Sequence, residues 1–124
     1  MLSTIKLYAN NVFKVLGPGY NECVYHNALA VALRKKGIPY ETERIIPITY
    51  DNHVIGNLRA DIIIDNSIIL ELKAVKCITE SMKFQLTNYK NLTGINNGMI
   101  INFPQRSDID VCDFHSEDPL ELDI

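Results

Sequence analysis

At 124 residues, with 47% hydrophobic and 22% charged side chains, the chain can bury a core without disulfide or metal staples and is too balanced for a disordered or fibrous protein. No apolar run approaches the roughly 20 residues of a membrane span, and the N-terminal stretch MLSTIKLYANN lacks the features of a secretory signal. The net charge of −3 is unevenly distributed: seven of the 15 acids lie after Ser107 and none of the 12 Lys and Arg does, so residues 1–106 carry a net of +4.

The first helix is predicted over about residues 4–16, where Ile5, Tyr8, Val12 and Val15 recur on one face and Gly17-Pro18-Gly19 ends the pattern. A second helix, about 20–36, carries the stripe Tyr25, Ala28, Leu29, Ala32 and Leu33 and is stopped by Gly37 and Pro39. Residues 44–50 are β-branched, and Pro47 among them suggests an edge strand or a bulge. Asp65-Asn66-Ser67, between apolar runs at 58–64 and 68–75, signals a hairpin. A third helix is expected over about 79–93, capped by Thr79 and ended by Gly94, with Met82, Gln85, Tyr89 and Leu92 as its stripe. Residues 98–103 form a short apolar strand, and 109–111 have weak strand character. The order α-α-β-β-β-α-β gives an α/β (α+β) class, a mixed central β-sheet flanked by helices. The charge distribution divides the chain into a domain over 1–106 and an acidic C-terminal segment over 107–124. Cys23, Cys77 and Cys112 show no paired spacing and read as reduced, buried thiols of a cytoplasmic protein.

Polar residues stand where this pattern wants apolar ones. Alternation puts Ile69, Glu71 and Lys73 on one face of their strand, and Arg59, Asp61 and Ile63 on one face of the strand before it, opposed to Leu58, Ala60, Ile62 and Ile64. A turn centred on Asn66 makes partners of residues whose numbers sum to 132, so Asp61 faces Glu71. Two carboxylates roughly 5 Å apart at Cβ repel one another unless a cation lies between them. Lys73 supplies part of that charge, and a bound divalent metal would supply the rest. The plain alternative, a solvated face, fits poorly with the flanking Ile62-Ile63-Ile64 and Ile68-Ile69-Leu70, which read as central strands. Glu22 repeats the anomaly on the second helix, lying in line with Tyr25 and Leu29. His26 is expected on the helix surface, and His53 in an exposed turn.

These residues resemble a known family. Gly19-Tyr20-Asn21-Glu22-Cys23-Val24-Tyr25 matches the pattern that names the GxxExxY proteins. Arg59-Ala60-Asp61, Leu70-Glu71-Leu72-Lys73-Ala74, the pair Gln85 and Tyr89, and Gly98 to Phe103 follow in that family's order. The family is grouped with the PD-(D/E)XK nucleases, so the resemblance implies a restriction-endonuclease-like αβββαβ core and a Mg²⁺- or Mn²⁺-dependent nuclease. By this resemblance Asp61, Glu71, Lys73 and Glu22 are the catalytic set, and Asp61, Glu71, the Leu72 carbonyl and Glu22 hold the metal. Lys73 resembles the lysine that orients the attacking water. Gln85 and Tyr89 resemble the QxxxY pair near the phosphate, and Tyr25 is grouped with them as substrate-binding. The implied partner is nucleic acid, DNA ahead of RNA, and a domain this small would need a second copy, a homodimer, to cover both strands of a duplex. The alternative is a catalytically inactive nucleic-acid- or protein-binding module with the same fold. The acidic segment is expected to compete with nucleic acid for basic residues, including Lys83 and Lys90 on one face of the third helix.

Overall fold

In the computed structural model, which describes residues 1–104 and 109–114, the chain folds as α1 (Leu2–Leu16), α2 (Glu22–Lys35), β1 (Tyr40–Tyr50), β2 (His53–Ile64), β3 (Ile68–Lys73), α3 (Glu80–Thr93), β4 (Asn97–Asn102) and β5 (Asp110–Phe114). The strands make one sheet in the order β1-β2-β3-β4-β5. Only β3 and β4 run parallel, joined through α3 as a crossover requires. Helices α1 and α2 pack on one face, where Ile5, Phe13, Tyr25 and Leu33 meet Ile62, Leu70, Met99 and Phe103. Helix α3 packs on the other, where Leu86 and Tyr89 meet Ile63, Ile69 and Ile100. Covered on both faces, β3 is buried from Ile68 to Leu72, which explains its unbroken apolar character apart from Glu71.

Local chemistry sets the elements much as the sequence suggests. The Thr79 hydroxyl accepts from the Met82 amide at 3.3 Å and starts α3, and Gly94 ends it in the left-handed region at φ 76°. The β2–β3 hairpin pairs Ile62 with Leu70, Ile63 with Ile69 and Ile64 with Ile68, the register expected. Strand β1 lies at the sheet edge and contains both Pro47 and a bulge. The bulge falls between Ile48 and Thr49: Tyr50 pairs with His53 and Thr49 with Val54, but Ile48 pairs with Gly56, so the register slips by one residue on the β2 side. The Asp51-Asn52 turn holds both residues at positive φ (51° and 65°), the twist that a two-residue hairpin favours.

Several expectations are corrected. The core stripe of α1 is Ile5, Ala9 and Phe13, and Val15 is 83% exposed. Phe13 packs near Tyr25 and Phe103 (ring centroids 6.2 and 5.8 Å) and fixes the rotation of the helix, so Val15, two residues on, points away. In α3 the buried apolar residue is Leu86, while Leu92 is exposed. Cys23 and Cys77 are exposed and Cys112 is half-buried, all three free, so the thiols are not core residues. Strand β1 begins at Tyr40, four residues before the predicted start. Within the acidic segment, Asp110–Phe114 forms β5, antiparallel to β4, and Asp113 pairs with Lys6 of α1 at 2.6 Å. The expected competition by the rest of that segment falls on residues outside those described. Lys83 is engaged by Glu80 at 3.2 Å. Among the described residues no helix is long and apolar enough to cross a membrane.

Candidate active site

The β2–β3 ladder stops after Ile62 and Leu70, and side chains replace it. The Asp61 amide donates to Glu71 Oε2 at 2.8 Å, and the Leu72 amide donates to Asp61 Oδ2 at 2.9 Å. Each carboxylate therefore takes the place of a backbone carbonyl on the opposite strand. This exchange satisfies two buried amides, parts the strands, and fixes both acids through one oxygen each. An extended residue sends its N–H and C=O out by the same edge, so the Leu72 carbonyl faces β2 as its amide does.

The pleat breaks at the same place. Ala60 packs in the α3-side cluster with Ile63 and Ile69, whereas Ile62 and Ile64 pack on the α1–α2 side. The expected grouping of Ala60 with Ile62 and Ile64 is thus corrected: the alternation changes phase at Asp61. Opposite, Glu43 adopts φ 60° between the pairs Thr42–Ile62 and Arg44–Ala60, a left-handed conformation rare for a residue with a Cβ. With the chain turned there, the carboxylates of Glu43 and Asp61 and a ring nitrogen of His26 lie within 4.8 Å of one another. Arg59 Nε reaches Glu43 at 3.6 Å.

Glu22 opens α2 one turn before His26, half-buried and facing Asp61. Lys73 closes β3, and its ammonium acts on Glu22, Asp61 and Glu71 alike. Burial first and the Asp61 charge second push Glu71 up to about 8. Burial also raises Asp61, against the pull of the Leu72 amide, and raises Glu22, with Asp61 adding to it. Three carboxyls pressed towards their neutral forms and a backbone carbonyl are hard oxygen donors of the kind a divalent cation of the Mg²⁺–Mn²⁺ type takes, and such a cation would reverse all three shifts.

These shifts set a pH dependence. Unfolded, Glu71 ionises in the ordinary range near 4.5; folded, it holds its proton to about 8. Between those values the unfolded chain has released a proton that the folded chain keeps, so stability falls as pH rises through the window. The metal-free protein should melt several degrees lower at pH 8 than at pH 5, measured by scanning calorimetry in EDTA. A melting temperature that rises over that interval would contradict the buried acid.

The two tyrosines expected to bind substrate are both buried. Tyr25 is fully buried and stacks on Phe103 (centroids 4.4 Å, interplanar 3°). Its hydroxyl donates to the Gly17 carbonyl at 2.7 Å and accepts from the Tyr20 amide at 3.3 Å. It ties the loop before α2 to the core and so sets where Glu22 begins. Tyr25→Phe keeps the stack but orphans that carbonyl and amide, and should cost about 1–2 kcal/mol in chemical denaturation. Tyr89 is 1% exposed and donates to the Arg59 carbonyl at 2.7 Å. It lies against Glu71, with Gln85 half-buried beside it, and burial followed by the Glu71 charge drives its ionisation far above the usual range. Tyr89 braces Glu71 and β2 from beneath.

The structure thus brings together Glu22, Asp61, Glu71, Lys73, Gln85 and the Leu72 edge, and leaves Tyr25 apart. It adds His26, expected on the surface, and Glu43, unmarked in the sequence. The sequence pattern of the PD-(D/E)XK nuclease superfamily matches residues 1–112. The chain belongs to that superfamily. Its restriction-endonuclease-like fold is shared with solved structures. One is SSO0001, at 24% identity and TM-score 0.58, over 74% of this chain and 48% of that one. Another is an alkaline exonuclease, LHK-Exo, from Laribacter hongkongensis, at 11% identity and TM-score 0.51, over 76% of this chain and 55% of that one. The chain spans about half the length of each, and at these identities the likeness is one of fold. No curated protein sequence matches it.

Proposed function

We propose that this PD-(D/E)XK protein, of the GxxExxY type, is a metal-dependent nuclease that hydrolyses phosphodiester bonds, of DNA in preference to RNA, with Mg²⁺ or Mn²⁺. The observation that carries the proposal is the exchange between Asp61 and Glu71, each carboxylate pinned by the other strand's amide, with Lys73 following on β3. Asp61, Glu71, the Leu72 carbonyl and Glu22 would hold the cation, with His26 and Glu43 beside Asp61. The chemistry such a cation would supply there is polarisation of the phosphoryl oxygen and a more acidic water. Lys73 then orients the attacking water and stabilises the charge that develops on phosphorus oxygens. Tyr89 and Gln85 keep Glu71 aimed, because a buried phenol held by the Arg59 carbonyl fixes the floor on which that carboxylate rests. The net of +4 over residues 1–106 favours a polyanionic substrate, and a second copy is proposed to cover the other strand of a duplex.

The direct test incubates the purified full chain with single-stranded, duplex and branched DNA and RNA in Mn²⁺ and in Mg²⁺. Cleavage suppressed by EDTA is expected. If no substrate is cut but nucleic acid still binds, the protein is a binding module on the same fold.

A further inference from the structure

We infer that Asn102 is a positioning residue for Lys73, and that β5 supports it through Asp110. The inference rests on the nuclease reading for what the lysine does, though not for how the lysine is held. Asn102 and Glu71 are the buried polar side chains among the described residues, and Asn102 is 0% exposed. A carboxamide is buried at a cost unless its donors and acceptor are matched. Here Oδ1 accepts from the Val75 amide at 2.9 Å, and Nδ2 donates to the Val75 carbonyl at 2.9 Å and to Asp110 Oδ2 at 3.2 Å. The side chain acts as one more peptide group of the sheet. It pairs with both backbone groups of a residue that has already left β3.

Lys73 is the last residue of β3, where a strand frays unless something ties it. It is bracketed on both sides. Upstream, the Leu72 amide is fixed to Asp61. The Lys73 carbonyl accepts from the Phe103 amide at 2.9 Å. Downstream, Val75 is clamped by Asn102. The Val75 amide and carbonyl decide which way the carboxamide faces, and Asp110 reinforces that choice. With its oxygen turned to Asp110 and the Val75 carbonyl, the amide would oppose two acceptors, so only the orientation that clamps Val75 satisfies β5 as well. An edge strand outside the αβββαβ core thereby reaches the backbone from which the lysine projects.

The test uses the full chain with Asn102→Ala and Asn102→Asp, and with Asn97→Ala at the other end of β4 as control. Lys73 is first read without turnover. The protein is reductively ¹³C-methylated, and the Lys73 dimethylammonium resonance is assigned by its loss in Lys73→Arg. In Asn102→Ala this resonance should move to the position of freely mobile lysines and sharpen, and in Asn97→Ala it should stay. Turnover should follow, with kcat lowered about 100-fold, KM within about threefold and Mn²⁺ affinity retained, as a misplaced group predicts. A purely structural role would instead lower the melting temperature and leave kcat per folded molecule intact. Asn102→Asp keeps an acceptor for Val75 and loses both donors. It also sets a buried carboxylate against Asp110 and the Val75 carbonyl, so it should lie at least as far from wild type as alanine on both readouts, and whichever of the two variants folds decides the matter. An unmoved resonance, or wild-type kcat in the folded variants, overturns the inference. A wild-type protein that cleaves nothing sinks the nuclease reading instead, and the resonance alone then decides the positioning.

Discussion

Asp61→Asn is expected to abolish the rise in melting temperature that millimolar Mn²⁺ or Mg²⁺ gives the wild-type protein, and to raise the melting temperature of the metal-free protein. Both effects come from one charge. The Asp61 carboxylate is the cation's proposed ligand, and it is also the neighbour that, after burial, contributes most to keeping Glu71 from ionising. A ligand at about 100 times its Kd adds roughly 2.7 kcal/mol of stability, and loss of the site removes all of it. Asparagine is the informative replacement because its carbonyl oxygen can still accept from the Leu72 amide, which Asp61 Oδ2 now holds at 2.9 Å. Alanine leaves that amide without a partner at about 1–3 kcal/mol, which would mask the relief of repulsion. Thermal shift with and without metal checks the expectation, and an undiminished metal shift in Asp61→Asn would remove Asp61 from the ligand set.

Lys73→Ala should reduce phosphodiester cleavage by about 10²–10³-fold in kcat while leaving metal binding in place, because the ammonium's proposed role is on the water and on charge formed in the transition state. Arginine should not restore it, since a planar fork cannot take the position of a compact ammonium. A second signature follows from the site's electrostatics. Lys73 now lowers the ionisation of Glu22, Asp61 and Glu71. Without it all three carboxyls hold their protons to higher pH, so metal binding should shift its pH midpoint upward. Single-turnover cleavage together with Mn²⁺ titration across pH separates the two effects. A variant that loses metal affinity at every pH would make the lysine part of the metal site and not of the chemistry.

Much of this was legible from the chain because it rests on local rules. The hairpin register followed from one turn at Asn66, and that register sets Asp61 against Glu71. Thr79 and Gly94 bounded α3 through capping, and Pro47 marked an edge. What stayed hidden depends on contacts distant in sequence. The rotation of α1 is set by Phe103, ninety residues beyond Phe13, so periodicity alone favoured the wrong stripe. Glu43 lay one residue before the predicted strand, in a left-handed conformation that alternation cannot anticipate. The burial of Tyr25 and Tyr89 followed from their stripes, but the carbonyl each hydroxyl meets did not, because periodicity does not say what a phenol finds at its far end.

The slip in the β1–β2 hairpin has a consequence for how this site can vary. Without the slip, pairing propagated from Tyr50 and His53 would bring Glu43 opposite Ala60; with it, Glu43 stands opposite Asp61. The acid that flanks the proposed metal position is therefore chosen by a residue count near an exposed tip, six positions along β2 from Asp61, or roughly 20 Å at strand rise. Gaining or losing a single residue there would exchange the neighbour of Asp61 while leaving every side chain of the site unaltered. Length in this ribbon is a form of chemical information, and an insertion at its far end amounts to a substitution at its centre.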